Sequence, residues 1–118
     1  MICNSSLTIY HKGFDDENKV ETWERFNYKE VWFFGGKGAG INKGYDNAND
    51  VNVRLPYDKN EGLNIKNIII GDVIVQGTLD IDIDDPSDLL KLGYETYTIT
   101  SINNNNFGKN QHIHIGGK

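Results

Sequence analysis

IKNIIIGDVIVQGTLDIDIDD, residues 65–85, is the densest β-branched run in the chain. Ile68, Ile69 and Ile70 are followed by Val73, Ile74 and Val75, then by Leu79, Ile81 and Ile83, with Gly71-Asp72 and Gln76-Gly77 between them. Side chains branched at Cβ are stiff at χ1 and suit a pleated surface. The stretch therefore reads as two or three short strands separated by tight turns. Its last part alternates strictly, with Leu79, Ile81 and Ile83 on one face and Asp80, Asp82 and Asp84 on the other. A period of two marks a sheet with one wet face. The expectation is an all-β fold, a small antiparallel β-barrel or sandwich closed around this piece.

Outward from the run, residues 7–10 (LTIY) read as a strand and residues 13–18 (GFDDEN) as a charged turn. Residues 22–28 alternate, residues 31–34 are apolar and aromatic, and a kink is expected between them at Lys29-Glu30. One face of this ribbon should anchor the core and the other meet a partner, because both carry large apolar groups. Residues 35–50, GGKGAGINKGYDNAND, lack apolar periodicity. Loops beyond about 12–15 residues are usually functional or disordered, so this one is expected to be mobile. Residues 51–55 alternate and stop at Pro56. Residues 85–92 read as one short helix capped by Asp85, with Pro86 in first position and Gly93 at its end. Residues 96–102 form a strand with Tyr97, Ile99 and Ser101 on one side. Residues 103–106 form a hairpin tip, residues 112–115 pair back, and Gly116-Gly117-Lys118 is a frayed end or contact tail. About seven or eight short strands and one helix result.

The 118 residues make one domain. A net charge of −5 argues against nucleic acid as a bound partner, since phosphate contact needs clustered Lys and Arg. Cys3 is the single cysteine, so no intrachain disulfide forms, and it has no Cys/His cluster around it. No stretch approaches the ~20 apolar residues of a membrane helix, and the start of the chain lacks a signal-peptide core. The expected setting is a soluble protein made inside the cell.

Motifs for chemistry are weak. Lys37 and Lys43 sit in the glycine-rich stretch, but neither is followed by Ser or Thr opening a helix, as a phosphate loop requires. Asp80, Asp82 and Asp84 fail the Ca²⁺-loop pattern, which needs Gly at position six and Glu at twelve where this chain has Asp85 and Lys91. His112 and His114 share a strand face, yet a zinc site needs three or four ligands, and nothing supplies a third. No Ser/His/Asp order, nucleophile elbow, HExxH or convincing carboxylate pair occurs. The reading is a non-enzyme without metal or cofactor.

Several segments together resemble a family of small clostridial phage and prophage proteins labelled minor capsid proteins. They are GDVIVQG (71–77), DDPSDLL (84–90), YETYTITSINNN (94–105) and HIHIGGK (112–118), with KGYDNANDVNVRLP (43–56) and LTIYHK (7–12) in order before them. The resemblance covers most of the chain and departs at residues 13–30 and 103–111. It implies a place in the neck of the virion, as a head-completion (stopper) ring protein between portal or adaptor and tail. A homo-oligomeric ring, a hexamer or dodecamer, is the implied assembly, with double-stranded DNA passing through its lumen without specific binding. The expected interface residues are Trp32, Phe33, Phe34, Gly35, Gly36, Lys37, Gly38, Lys43 and Tyr45, and Asp80, Asp82 and Asp84 form the expected lumen face. Two alternatives stand beside this. One is a tail terminator joining tail to head. The other is a ligand-binding β-sandwich whose Trp23, Trp32 and Tyr45 stack on sugar rings.

Overall fold

The computed structural model describes residues 3–35, 51–105, 108 and 111–118. Six antiparallel strands run as β1 (Ser5–Asp15), β2 (Val20–Gly35), β3 (Val51–Pro56), β4 (Val73–Gln76), β5 (Tyr97–Asn105) and β6 (His112–Gly117), with one short helix, α1 (Ser87–Lys91). They close into a barrel in the order β1-β2-β3-β6-β5-β4, with β4 returning to β1. The all-β expectation holds, and six strands lie among the described residues where seven or eight short ones were expected of the chain. Three of the expected short pieces are parts of two long strands, and parts of the central run lie outside the ladder.

Alternation fills the barrel. Leu7 and Ile9, Tyr28, Val31 and Phe33, Val51, Val53 and Leu55, Ile74, Tyr97 and Ile99, and Ile113 and Ile115 form one buried cluster. Each set steps by two along its strand, as inward side chains must, except where β2 is interrupted. Leu7 pairs with Tyr28 but Ser5 with Val31, so β2 carries one extra residue at 29–30. The kink expected there is a β-bulge inside one continuous strand, and it lets both Tyr28 and Val31 face inward. A second irregularity separates the pairs Ile99–Gly117 and Ser101–Gly116. It turns Ser101 out and brings Ile102 against the core, reversing the faces expected for that strand.

Several local expectations are corrected. The turn after β1 is shorter than 13–18, because β1 continues to Asp15. The Asp15 carboxylate accepts from Asn18 Nδ2 and from the backbone N–H groups of Glu17 and Asn18, so it builds the turn itself. Those bonds, the Asn18 side chain first, hold its pKa below the ordinary value. Asn103 and Asn105 belong to β5 and pair with His114 and His112. The C-terminal Gly116-Gly117 is no frayed tail: both glycines are buried in β6, and Lys118 exchanges two backbone bonds with Thr98. A Cβ on Gly117 would lie 3.2 Å from both the Thr98 carbonyl and a Val51 methyl, so only glycine fits there without displacement.

Within residues 65–85 only Val73–Gln76 is ladder strand. Ile65–Asn67 is a 3-10 turn, capped by the Asn64 side chain on Lys66 N. Residues 79–83 keep the alternation in burial, Leu79 and Ile83 in and Asp80 and Asp82 out, but pair with no strand. They cross the outer face of β1 and β4 as a strap. Tyr10, Val73 and Val75 point outward from the barrel and pack with Leu79, Ile83 and Leu89, with Trp23 and Ile81 partly buried beside them. This second core explains why both faces of β1 and β4 are apolar. The strap is tied by Leu79 N donating to Thr8 Oγ1, Thr8 Oγ1 donating to the Gly77 carbonyl, and Tyr10 Oη donating to the Ile81 carbonyl. It ends in α1, whose N-cap is Pro86, one residue later than expected, while Asp85 Oδ1 accepts from Ser87 N just ahead of it. Gly93 N bonds to Leu90 O and Tyr94 N to Leu89 O, a C-terminal motif that needs the positive φ of 90° found at Gly93.

Candidate assembly surface

On β2 the residues that alternate with the core residues Val31 and Phe33 are Trp32 and Phe34, so a period of two puts both on the outer wall. Their rings stack with centroids 5.6 Å apart and planes 7° from parallel. Arg54 pairs with Trp32 across β2 and β3, and its guanidinium carbon lies 4.8 Å from the centroid of the Trp32 ring. That is cation–π distance. Next along the wall, Arg54 pairs with His114 on β6, and His114 with Asn103 on β5. Burial holds the His114 pKa below its ordinary value, and the Arg54 and His112 charges push the same way. Neutral His114 and charged Arg54 therefore coexist on one patch. Phe34 is 63% exposed, a large apolar ring stacked on its neighbour at the surface.

Among the expected interface residues, Trp32 and Phe34 come together on this wall, and Gly35 ends β2 beside them, paired with Val51. Phe33 is a correction. It is buried, with its ring edge-on to Tyr97 at 6.2 Å, because it shares the inward parity of Val31. Gly36, Lys37, Gly38, Lys43 and Tyr45 lie outside the described residues. Asp80, Asp82 and Asp84 are exposed on the strap. The acidic strap crosses β1 and β4, whereas the aromatic wall stands on the last four residues of β2 and on β3, so the two are different patches of the barrel surface. Asp82 lies 3.8 Å from Arg25 Nε, a contact across exposed surface that contributes little. Arg25 Nη1 is buried and has no hydrogen-bond partner among the described residues.

A polar cluster that sequence reading passed over sits at the barrel end. Asp72 is fully buried. Its carboxylate accepts from His11 Nδ1 at 2.8 Å, Lys12 N at 2.8 Å and Ile69 N at 2.9 Å. Just before β4 begins, this carboxylate takes the place of a ladder residue beside β1 and closes the preceding turn. The signal available was an acidic residue inside an otherwise β-branched run. Tyr28, deep in the core, has its pKa pushed up to about 12 by burial and, secondarily, by the Asp72 charge. His112 lies 3.3 Å from Asn105 Nδ2. No group of three His, Cys, Asp or Glu among the described residues could hold a metal ion. No helix among them is long and apolar enough to cross a membrane.

A family model described as a family of unknown function, DUF6751, matches residues 2–118. No curated protein and no solved structure matches the chain.

Proposed function

We propose, for this chain that belongs to the DUF6751 family of unknown function, a structural role: a head-completion (stopper) subunit in the neck of a tailed phage, assembling as a homo-oligomeric ring between portal or adaptor and tail. The observation that carries the assembling role is the exposed Phe34–Trp32–Arg54 stack on the barrel wall. Rigid aromatics with an arginine are the residue types that anchor interfaces, because they bury large area at small entropic cost. The placement in a phage neck rests on the sequence resemblance.

A closed ring needs a heterologous contact, with different patches on the two sides of each subunit. The aromatic wall and the acidic strap are two such different patches. With the strap toward the lumen, Asp80, Asp82 and Asp84 repel the DNA backbone, so DNA slides without sticking. Tail-terminator subunits would use the same surfaces against a different neighbour. The ligand-binding alternative draws support from the flat Trp32–Phe34 pair, which could stack on a sugar ring. Trp23, its second expected platform, packs against the strap core instead.

Native mass spectrometry of the purified protein, alone and mixed with a portal–adaptor complex or with tail-tube protein, tests the proposal. A ring on the portal–adaptor complex, lost in Phe34→Ser with an unchanged thermal melt, is the expected result. A ring on the tube alone would favour the terminator reading. A lasting monomer with no affinity for either overturns the structural role and favours a ligand-binding module.

A further inference from the structure

β2 is 16 residues long, but β3 pairs only with its last four, Trp32 to Gly35. At Glu30 the Asn60 side chain imitates a neighbouring strand. Its Oδ1 accepts from Glu30 N, and its Nδ2 donates to the Glu30 carbonyl and also to that of Pro56. Between the hairpin turn and Glu30, the side of β2 away from β1 has no strand beside it among the described residues. Among the described residues, 20–29 therefore present an open edge about 33 Å long, with alternate N–H and C=O groups turned outward. Such an edge is a template for strand addition.

A cleft of about 440 Å³ runs along this edge, lined by Val20, Glu21, Thr22, Trp23, Ile83 and Asp84. Four consecutive residues of one strand line it. Consecutive side chains point to opposite faces, so the cleft lies at the edge of β2 and not over one face. Its far wall, residues 83–84, belongs to the strap. The floor is apolar at Trp23 and Ile83, and the rim is acidic. Residues 12–25 and 80–85 together hold nine carboxylates against three Lys and Arg. Glu21 already contacts Lys12 Nζ at 3.2 Å, while Glu24 and Asp84 have no ion pair among the described residues.

We propose that the open edge of β2, residues 20–29, with the cleft against residues 83–84, takes an extended basic segment of another protein by strand addition. Lys or Arg in that segment alternates with apolar residues. Its backbone completes the unpaired edge, its apolar side chains enter beside Trp23 and Ile83, and its cations, on the opposite face, meet Glu24 within the field of the acidic rim that Glu21 and Asp84 supply. The acidic rim also selects against a second copy, because this chain carries a net charge of −5 and would bring acid to acid. The contact lies away from the aromatic wall and does not depend on ring assembly.

The test uses the full chain with Trp32→Phe, so that Trp23 is the sole tryptophan. The probe is a blocked decapeptide of alternating Lys and Val. Two companions replace Lys by Glu, or methylate alternate backbone nitrogens. The expected result is a saturable shift of Trp23 emission with the Lys peptide, slowed amide exchange across residues 20–29, and binding weakened about tenfold or more by methylation and by Glu21→Lys with Glu24→Lys. Equal response to the Lys and Glu peptides, insensitivity to methylation, or no saturable response overturns the proposal. A dimer of the free protein held through β2 would overturn the choice of occupant. None of these readouts involves neck components, so failure here and failure of the ring proposal are distinguishable. A melt matching the parent's shows that each variant is folded.

Discussion

VNVRLP at residues 51–56 and LDIDI at residues 79–83 have the same apolar–polar rhythm and opposite structural fates. The first is β3, bonded to β2 on one side and β6 on the other, with Val51, Val53 and Leu55 fully buried. The second buries Leu79 and Ile83 just as regularly, yet is held by side chains: the Thr8 hydroxyl, the Tyr10 phenol and a weak Arg25–Asp82 contact. A period of two reports which face a chain presents. It does not report whether the backbone has a neighbour. In β3 the ladder fixes position and burial follows. In the strap burial fixes position and the backbone stays irregular.

This difference predicts unequal responses to the same truncation. Ile115→Ala, in the ladder-held core opposite Val53, should cost about 2–5 kcal/mol, because neighbouring strands cannot collapse into the cavity. Ile83→Ala removes the same atoms from the strap, which can settle inward, and should cost clearly less. Urea unfolding of the two variants at one temperature measures both. Equal losses would mean that the strap is as rigid as the barrel.

Thr8→Val tests how the strap is tied. It keeps the shape of the side chain but leaves Leu79 N without its acceptor and the Gly77 carbonyl without its donor. A loss of about 1–3 kcal/mol is expected, the usual cost of a stranded buried polar group. Amide exchange at Leu79 should speed up well before exchange at Val53 or Ile115. Uniform acceleration across the barrel would show that strap and barrel open as one unit.

On the ladder side, His114 gives a pH dependence. Burial, then Arg54 and His112, hold its folded pKa below 6.5. The unfolded chain thus takes up the proton first as pH falls, and the stability tied to neutral His114 is lost from about 6.5 downward to the folded pKa. His114 is partly exposed, so the effect is small and screened by salt. Denaturation midpoints at pH 7.5 and 5.0 should differ less in His114→Gln than in the parent. An unchanged difference would place the pH sensitivity elsewhere.

How far sequence alone carried the reading depends on what each residue answers to. The inward positions of β3 and β6 and the Gly93 end of α1 were legible, because alternation and glycine's place after a helix are local. The lengths of β1 and β2 were not: Asp15 builds its own turn, and the Lys29-Glu30 irregularity is a bulge whose effect depends on its partner strand. Gly116-Gly117 looked like loose tail residues because glycine means freedom in isolation. Here it means close approach to Thr98 and Val51, a fact about two other strands. Phe33 was grouped with Trp32 and Phe34 by composition, where parity separates it into the core. Asp72 was invisible because its three donors come from residues 11, 12 and 69.

Arg25 offers the finest cut through the comparison. It lies on the outer face of β2, paired with Tyr10 in register, under the edge of the strap. Among the described residues its Nη1 is buried without an acceptor, and the carboxylate it contacts, Asp82, is 84% exposed. A ladder-held structure pays for such a donor only if something else needs it. Arg25→Met keeps the packing stem, removes the stranded donor and leaves Asp82 solvated. Replacing a poorly satisfied buried charge by an apolar residue of similar length is often neutral or stabilising. The expected result is a melting temperature equal to or slightly above the parent's, with Tyr10, whose pKa is raised by burial and partly lowered by Arg25, titrating at still higher pH. A clear fall in melting temperature would mean that Arg25 grips the strap electrostatically, and that the strap is held by charge as much as by Leu79, Ile83 and Leu89.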